Sequence, residues 1–152
     1  MLKSGQIKGI LFDLDHTLID TSYADLEGIR AFYEKVKTQT PYNLDEFVDV
    51  YHKALYTYFP MFERGEISMK EQRHRRIKDL LKDPNLEPEK CDTLIDISLD
   101  CHVQFVRVFK DVFPLLEQLK DFKLGIITNG STETQKRKVA KAGLAPFMNH
   151  VQ

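Results

Sequence analysis

Two carboxylates stand two residues apart near the start of this chain, in the motif Asp13-Leu14-Asp15-His16-Thr17. Side chains two residues apart on an extended backbone point to the same side. One carboxylate could then attack a phosphorus atom, an established covalent strategy, while the other handles the proton of the leaving group. Two acids beside an anionic phosphate need a cation, and Mg²⁺ is suited because it prefers oxygen ligands. The spacing alone is also compatible with an ordinary turn, where Asp bonds its own backbone.

A second polar segment could hold the phosphate group. Thr128, Asn129, Gly130 and Ser131 follow the apolar run 124–127 and precede a segment of helical character. A Thr hydroxyl and loop amides at the end of a strand, just ahead of a helix N-terminus, form a ready phosphate site. The two polar segments together therefore favour phosphoryl chemistry over the turn interpretation.

Two short strands must position these polar segments. Residues 7–12 and 124–127 are apolar runs too short to be helices, and we expect both to be buried strands. Each strand delivers its polar segment at its carboxyl end, where open α/β sheets bind their ligands. A third strand is predicted to begin in the tail, within residues 147–152.

The remainder of the chain has helical character. Four consecutive helices without strands, between the two polar segments, indicate a small bundle. A proline near the end of the second helix predicts an interruption there. The predicted bundle helices cover residues 23–37, 44–62, 68–81 and 88–108, with Ser68-x-x-Glu71 as a capping box. Two further helices are predicted at 114–119 and 132–143, the second opened by Thr132-x-x-Gln135 as a capping box. We expect the bundle's aromatic residues to be core: Phe32, Tyr33, Phe47, Tyr51, Tyr58 and Phe62.

This order of elements predicts an α/β fold with a large helical insertion. Residues 1–20 and 110–152 would form a partial Rossmann-like core with an incomplete parallel sheet, and residues 21–109 an all-α helical domain inserted after the first strand. The edge of the first strand that lacks a neighbour would be exposed. An exposed edge of this kind invites pairing with another chain, so self-association is a further expectation.

The bulk properties exclude several classes of partner. The 152 residues carry 22 Lys and Arg against 23 Asp and Glu, a formal net charge of −1, so charge gives no reason to expect nucleic-acid or membrane binding. No run approaches the roughly 18 apolar residues of a membrane helix. Cys91 and Cys101 lie ten positions apart in one predicted helix, about 15 Å along its axis, so they are too distant for a disulfide. A reduced, cytoplasmic setting is therefore expected.

The two polar segments carry a family resemblance. ILFDLDHTL, residues 10–18, resembles the first motif of the haloacid-dehalogenase superfamily, and IITNG, residues 126–130, resembles its second motif. The helical insert is similar to the family's cap. MFERGEIS, residues 61–68, is similar to a recurring cap segment in the branch of small-molecule phosphatases and nucleotidases. The resemblance covers essentially the whole chain.

The resemblance implies roles for individual residues. Asp13 would be the nucleophile and a Mg²⁺ ligand, and Asp15 would be the general acid and then the general base, with its backbone carbonyl on the metal. Thr128, Asn129 and Gly130 would hold the phosphate. The dehalogenases of the superfamily generally lack an Asp at the position of Asp15, so its presence favours phosphoryl transfer. His16 stands where many members have Gly and is interpreted as a turn residue.

The cap would select the substrate, a small phosphorylated metabolite. Arg64 and Arg73 are its candidate contacts, although an exposed charge explains each equally well. The family's phosphate-neutralising Lys and its distal acidic metal ligands normally follow the point where this sequence stops. The three lysines of the helix after the second motif are interpreted as solvated charges: Lys136, Lys138 and Lys141.

Three functions remain open at this point. The first is a Mg²⁺-dependent phosphomonoester hydrolase, such as a nucleotidase, that works through an aspartyl-phosphate. The second is an inactive binding or oligomerising module built on the same fold. The third is a phosphomutase, which would share the aspartyl-phosphate.

Overall fold

The computed structural model describes residues 7–151, which form a mixed α/β fold. The fold class confirms the prediction made from the order of the apolar runs. The strands are β1 (Gly9–Phe12), β2 (Lys123–Ile126) and β3 (His150–Val151). The α-helices are α1 (Thr21–Val36), α2 (Leu44–Glu63), α3 (Met69–Leu81), α4 (Pro88–Gln104), α5 (Val112–Gln118) and α6 (Thr132–Lys141), and a 3₁₀ turn covers Ala145–Phe147.

The three strands form one parallel sheet in the order β1-β2-β3. The register pairs Gly9 with Lys123 and Phe12 with Ile126, so β1 and β2 end together. The predicted third strand is confirmed as β3, while Gln152, the end of that prediction, lies outside the described residues.

The prediction that the first strand is buried is wrong. Leu11 is 64% exposed, and the side chains of β1 alternate between exposed and half-buried. The apolar core packs against one face of the strand, where Ile10 and Phe12 lie, and within residues 7–151 β1 has a hydrogen-bonded neighbour only in β2. β2 has strands on both sides and is buried from Leu124 to Ile126.

Contacts divide the described chain into two compact units. Residues 7–25 and 103–151 form the core unit, and Leu26–His102 form the helical unit. The core unit contains the sheet, α5 and α6, and its interior is a single apolar cluster. The largest fully buried members of that cluster are Leu14, Leu18, Ile19, Leu116, Ile126 and Leu144.

The helical unit has its own apolar core, centred on an aromatic pair. The rings of Phe32 and Phe47 are 5.9 Å apart, and both side chains are buried. This confirms the core interpretation for these two aromatic residues. The predicted interruption near Pro60 is wrong, because α2 continues through Pro60 to Glu63. A proline this close to the end of a helix removes one backbone donor without displacing a long following segment.

The cap residues of the helices fix where they begin. Asn43 forms a full capping box with Glu46 at the start of α2, which the sequence patterns did not predict. At α3, Ser68 accepts from the backbone N–H of Glu71, as its spacing predicted. Across residues 7–151, no helix is long and apolar enough to cross a membrane.

Candidate active site

The carboxyl ends of β1 and β2 bring Asp13 and Thr128 to the same edge of the sheet. The backbone N–H of Ile127 donates to the carbonyl of Phe12 at 2.9 Å, which extends the pairing to the last residue before each polar segment. Asp13 is exposed, and its Oδ2 accepts a hydrogen bond of 3.1 Å from the hydroxyl of Thr17. The sequence expectation that the two polar segments follow neighbouring strand ends is confirmed.

Asp15 has a different environment from Asp13. Its Oδ1 accepts from the ammonium of Lys138 at 2.8 Å and from the hydroxyl of Thr21 at 2.9 Å, and its Oδ2 accepts from the amide of Gln135 at 2.7 Å. Burial by itself raises the pKa of Asp15. The charge and hydrogen bond of Lys138, with the other two donors, outweigh burial and hold that pKa below its usual value.

Helix α6 supplies two of these donors from its buried face. Gln135 is 1% exposed and Lys138 is 8% exposed, and they share this face with Val139. The interpretation of Lys138 as a solvated charge is therefore wrong, whereas Lys136 and Lys141 are exposed as expected. Lys138 lies on the inward face because three residues, close to one helical turn, separate it from Gln135.

The predicted capping box at the start of α6 is also wrong. Ser131, not Thr132, is the N-cap residue, and its side chain makes no cap hydrogen bond. Gln135 instead reaches across to the two polar segments. Sequence reasoning missed Gln135 and Lys138 as site residues. The available signal was two polar residues on the same helix stripe as apolar Val139 and Ala142.

The loop after β2 is packed around the amide of Gln135. The Nε2 atom of Gln135 donates to Thr128 Oγ1 at 2.6 Å, and the backbone N–H of Gly130 lies 3.5 Å from the same hydroxyl. A Cβ atom at Gly130 would lie 2.5 Å from Cδ of Gln135, so a glycine lets the loop approach this side chain. Asn129 is exposed beside them.

The first polar segment turns sharply after Asp15. His16 has a φ of 60°, in the left-handed region that favours glycine, and its backbone N–H donates to Thr21 Oγ1 at 3.1 Å. Histidine is among the residues enriched in this region. The turn interpretation of His16 is confirmed, and the turn carries Thr21 back to the carboxylate of Asp15.

The donor set of the site is compatible with Mg²⁺ at one carboxylate. Asp13 offers an exposed carboxylate as a metal ligand, whereas both carboxylate oxygens of Asp15 already accept hydrogen bonds. Within residues 7–151, there is no group of three or more acidic, His or Cys side chains arranged to hold a metal. Mg²⁺ commonly binds through one or two carboxylates, with water and substrate phosphate completing its shell. The exposed carboxylate of Asp13 fits that pattern.

The two candidate substrate residues belong to the helical unit. Arg64 is the C-cap residue of α2 and forms an exposed ion pair of 2.5 Å with Glu66. Arg73 lies half-buried within α3. Their role towards a substrate stays a prediction.

Comparison with known proteins adds three similarities. The family described as haloacid dehalogenase-like hydrolase matches residues 10–152. The glyceraldehyde 3-phosphate phosphatase of Methanocaldococcus jannaschii is 27% identical over 150 residues, covering 95% of this chain and 61% of the relative. The pyrimidine 5'-nucleotidase PynA of Streptococcus pneumoniae is 28% identical over 147 residues, covering 95% and 60%. The chain thus spans about three fifths of the length of these curated relatives.

Solved structures share the fold. A magnesium-bound crystal structure of YfnB from Bacillus subtilis superposes with a TM-score of 0.77 at 25% identity, covering 95% of this chain and 64% of that one. The 2-haloacid dehalogenase of Pseudomonas syringae has a TM-score of 0.63 at 27% identity, covering 95% and 63%. The neighbours therefore include both a magnesium-bound protein and a dehalogenase.

Proposed function

We propose that this chain, which belongs to the haloacid dehalogenase-like hydrolase family, carries the nucleophile of a phosphomonoester hydrolase. The observation that supports this most directly is that an exposed Asp13 and Thr128 follow the carboxyl ends of two paired parallel strands. The two curated relatives described above, a phosphatase and a nucleotidase, both have names that imply phosphate esters.

In the proposed reaction, Asp13 and Asp15 divide the work. A carboxylate oxygen of Asp13 attacks phosphorus, the bond to the leaving-group oxygen breaks, and that oxygen takes a proton from Asp15. Water then hydrolyses the aspartyl-phosphate, with Asp15 accepting the proton of the water. The three donors around Asp15 favour its ionised form, which suits the second step. The first step requires that Asp15 take up a proton when substrate binds.

The phosphate would lie between Asp13 and the loop after β2. The hydroxyl of Thr128 and the amide region of Asn129 would donate hydrogen bonds to the phosphate oxygens, and Gly130 would let the backbone approach the phosphate closely. Mg²⁺, held by Asp13 and the carbonyl of Asp15, would supply charge neutralisation at the phosphate. We further propose that the helical unit acts as the cap over a small phosphorylated metabolite, with Arg64 and Arg73 as contacts, in a cytoplasmic setting.

The decisive test is Asp13→Asn with p-nitrophenyl phosphate and Mg²⁺. We expect the substitution to abolish turnover, because an amide oxygen is a far weaker nucleophile than a carboxylate. Asp121→Asn is the matched control, since Asp121 is an exposed acid of the core unit ahead of β2. Full turnover by Asp13→Asn would refute the mechanism. Chloride release from 2-chloropropionate, without phosphate release from the ester, would instead assign the chain to the dehalogenases.

A second candidate function is supported by the exposed edge of β1. Leu11 is 64% exposed on a strand whose described hydrogen-bond partners lie only in β2, and such an edge can pair with a second chain. Measuring the mass in solution together with turnover separates the two candidates. An inactive oligomer supports the binding module, and a monomer with Mg²⁺-dependent turnover excludes it. Interconversion of sugar phosphates without phosphate release would indicate a phosphomutase.

A further inference from the structure

Gln135 is a buried polar side chain to which the proposed reaction assigns no role. It is 1% exposed, and its single Nε2 atom donates both to Asp15 Oδ2 at 2.7 Å and to Thr128 Oγ1 at 2.6 Å. Its Oε1 atom is buried and has no hydrogen-bond partner among residues 7–151. Both amide protons of Gln135 are therefore used, while its amide oxygen is unpaired. The two acceptors, on Asp15 and Thr128, set the orientation of this amide.

The carboxylate of Asp15 determines which way the amide faces. If the amide were rotated by half a turn, Oε1 would lie against Asp15 Oδ2, and two acceptors would face each other without a proton between them. The opposite orientation instead places a donor against a charged acceptor, which is among the stronger hydrogen bonds in proteins. Asp15 therefore holds Nε2 towards both of its partners.

This orientation has a consequence at Thr128. A hydroxyl has one proton to donate, and an oxygen that already accepts from Gln135 directs that proton elsewhere. The second close group, the N–H of Gly130 at 3.5 Å, is also a donor. The hydroxyl proton of Thr128 is thus left for an acceptor outside these contacts.

We propose that Gln135 is a positioning residue that fixes the hydroxyl of Thr128 as a donor to a phosphate oxygen. Gln135 does not touch the phosphate in this arrangement and acts through Thr128. Asp15 anchors the amide of Gln135. A residue of the first polar segment therefore determines whether the Thr128 hydroxyl, in the second segment, donates or accepts towards the phosphate. The inference rests on the proposed function, because it takes Thr128 as a phosphate-binding residue.

A double-mutant cycle on phosphate binding tests the proposal. Gln135→Met keeps the length and removes both hydrogen bonds, and Thr128→Val keeps the shape and removes the hydroxyl. The affinity for inorganic phosphate in the presence of Mg²⁺ is measured by calorimetry for the parent chain, each variant and the double variant. Gln72→Met is the matched control, because Gln72 is 2% exposed in the helical unit and its amide donates to Met69 Sδ.

If Gln135 acts through Thr128, the two substitutions are not additive. We expect Gln135→Met to weaken phosphate binding about tenfold when Thr128 is present and less than about twofold in the Thr128→Val background. Gln72→Met should leave the affinity unchanged.

Two results would overturn the proposal, and they are distinguishable. An equal loss from Gln135→Met in both backgrounds would mean that Gln135 only supports packing, and the proposed function would stand. No phosphate binding by the parent chain would remove the phosphate site itself, and the proposed function would fail together with the role of Gln135. The thermal midpoint of each variant shows whether weaker phosphate binding arises from a lower stability of the fold.

Discussion

Removal of the Lys138 ammonium is expected to destabilise the core unit. Lys138→Met keeps most of the side-chain length and removes the charge that lies 2.8 Å from Asp15 Oδ1. The side chains of Lys138 and Asp15 are 10% and 28% exposed, so neither is fully hydrated in the folded chain. The substitution leaves Asp15 as a partly buried carboxylate with two remaining donors, Gln135 and Thr21.

The expected magnitude follows from the burial of the pair. Removing one partner of a fully buried ion pair costs about 3–5 kcal/mol, whereas exposed pairs contribute about 0–1 kcal/mol. The partial exposure of Asp15 and its two remaining hydrogen bonds place this pair between those limits, at about 1–2 kcal/mol. For a chain of this length, each 1 kcal/mol lowers the thermal midpoint by about 2–4 °C.

The pH dependence gives the prediction a sign. The pKa of Asp15 is lower in the folded chain than its ordinary value, so the ionised carboxylate contributes stability at neutral pH. That contribution is lost as pH falls below the unfolded pKa of about 3.9 and through the folded pKa. Burial raises the pKa of Asp15, and in Lys138→Met only the hydrogen bonds from Gln135 and Thr21 oppose it, so the pKa of Asp15 is higher than in the parent chain. The stability difference between the parent chain and Lys138→Met should therefore be largest at pH 7 and shrink below about pH 4.

Urea unfolding monitored at pH 7 and pH 3.5 measures this difference. Lys141→Met is the control, because Lys141 is exposed on the same helix and its substitution removes the same charge from the chain. Equal stability of the two variants at pH 7 would refute the argument that Lys138 is paired. A difference that grows as the pH falls would refute the assigned sign.

Two further predictions concern backbone geometry. Gly130→Ala places a Cβ atom 2.5 Å from Gln135 Cδ, and Gln135 cannot easily move because it is buried and held by two acceptors. We therefore expect phosphate binding to weaken about tenfold in the calorimetric assay, as for Gln135→Met. Unchanged affinity would contradict the close packing. Lys82, the C-cap residue of α3, has a φ of 52°, a conformation that glycine adopts without strain. Lys82→Gly should therefore stabilise the helical unit by about 0.5–1 kcal/mol in urea unfolding. A lower stability would show that the Lys82 side chain contributes more than the strained backbone costs.

Local patterns in the sequence predicted much of this structure. Apolar runs located β1 and β2, and the residues that follow them were placed correctly at neighbouring strand ends. Patterns of this kind report on the residue and its near neighbours. They do not report which face of a strand other elements cover, and for that reason the exposure of Leu11 was not predicted.

The errors at α6 have the same cause. Thr132-x-x-Gln135 satisfies the local rule for a capping box, and Lys138 satisfies the local rule for a solvated charge near a helix C-terminus. The side chains of Gln135 and Lys138 instead bond to Asp15, which is 120 and 123 residues distant in sequence. A charged acceptor supplied by a remote segment overrides a weak local preference, because a hydrogen bond to a carboxylate exceeds a typical cap in strength.

The same sequence separations show what the site depends on. Thr128 lies in the short connection between β2 and α6, and Gln135 and Lys138 lie in α6 itself, so their mutual positions follow from local geometry. Asp15, which is 120 residues from Gln135 in sequence, is brought to them by the pairing of β1 with β2. A slip of one residue in that pairing would move Asp15 by about 3.3 Å and turn β1 side chains to the opposite face, which breaks the bonds to Gln135 and Lys138 together. The bonds of α6 to Asp15 therefore stabilise one strand register, and that register also brings Asp13 and Thr128 to the same end of the sheet.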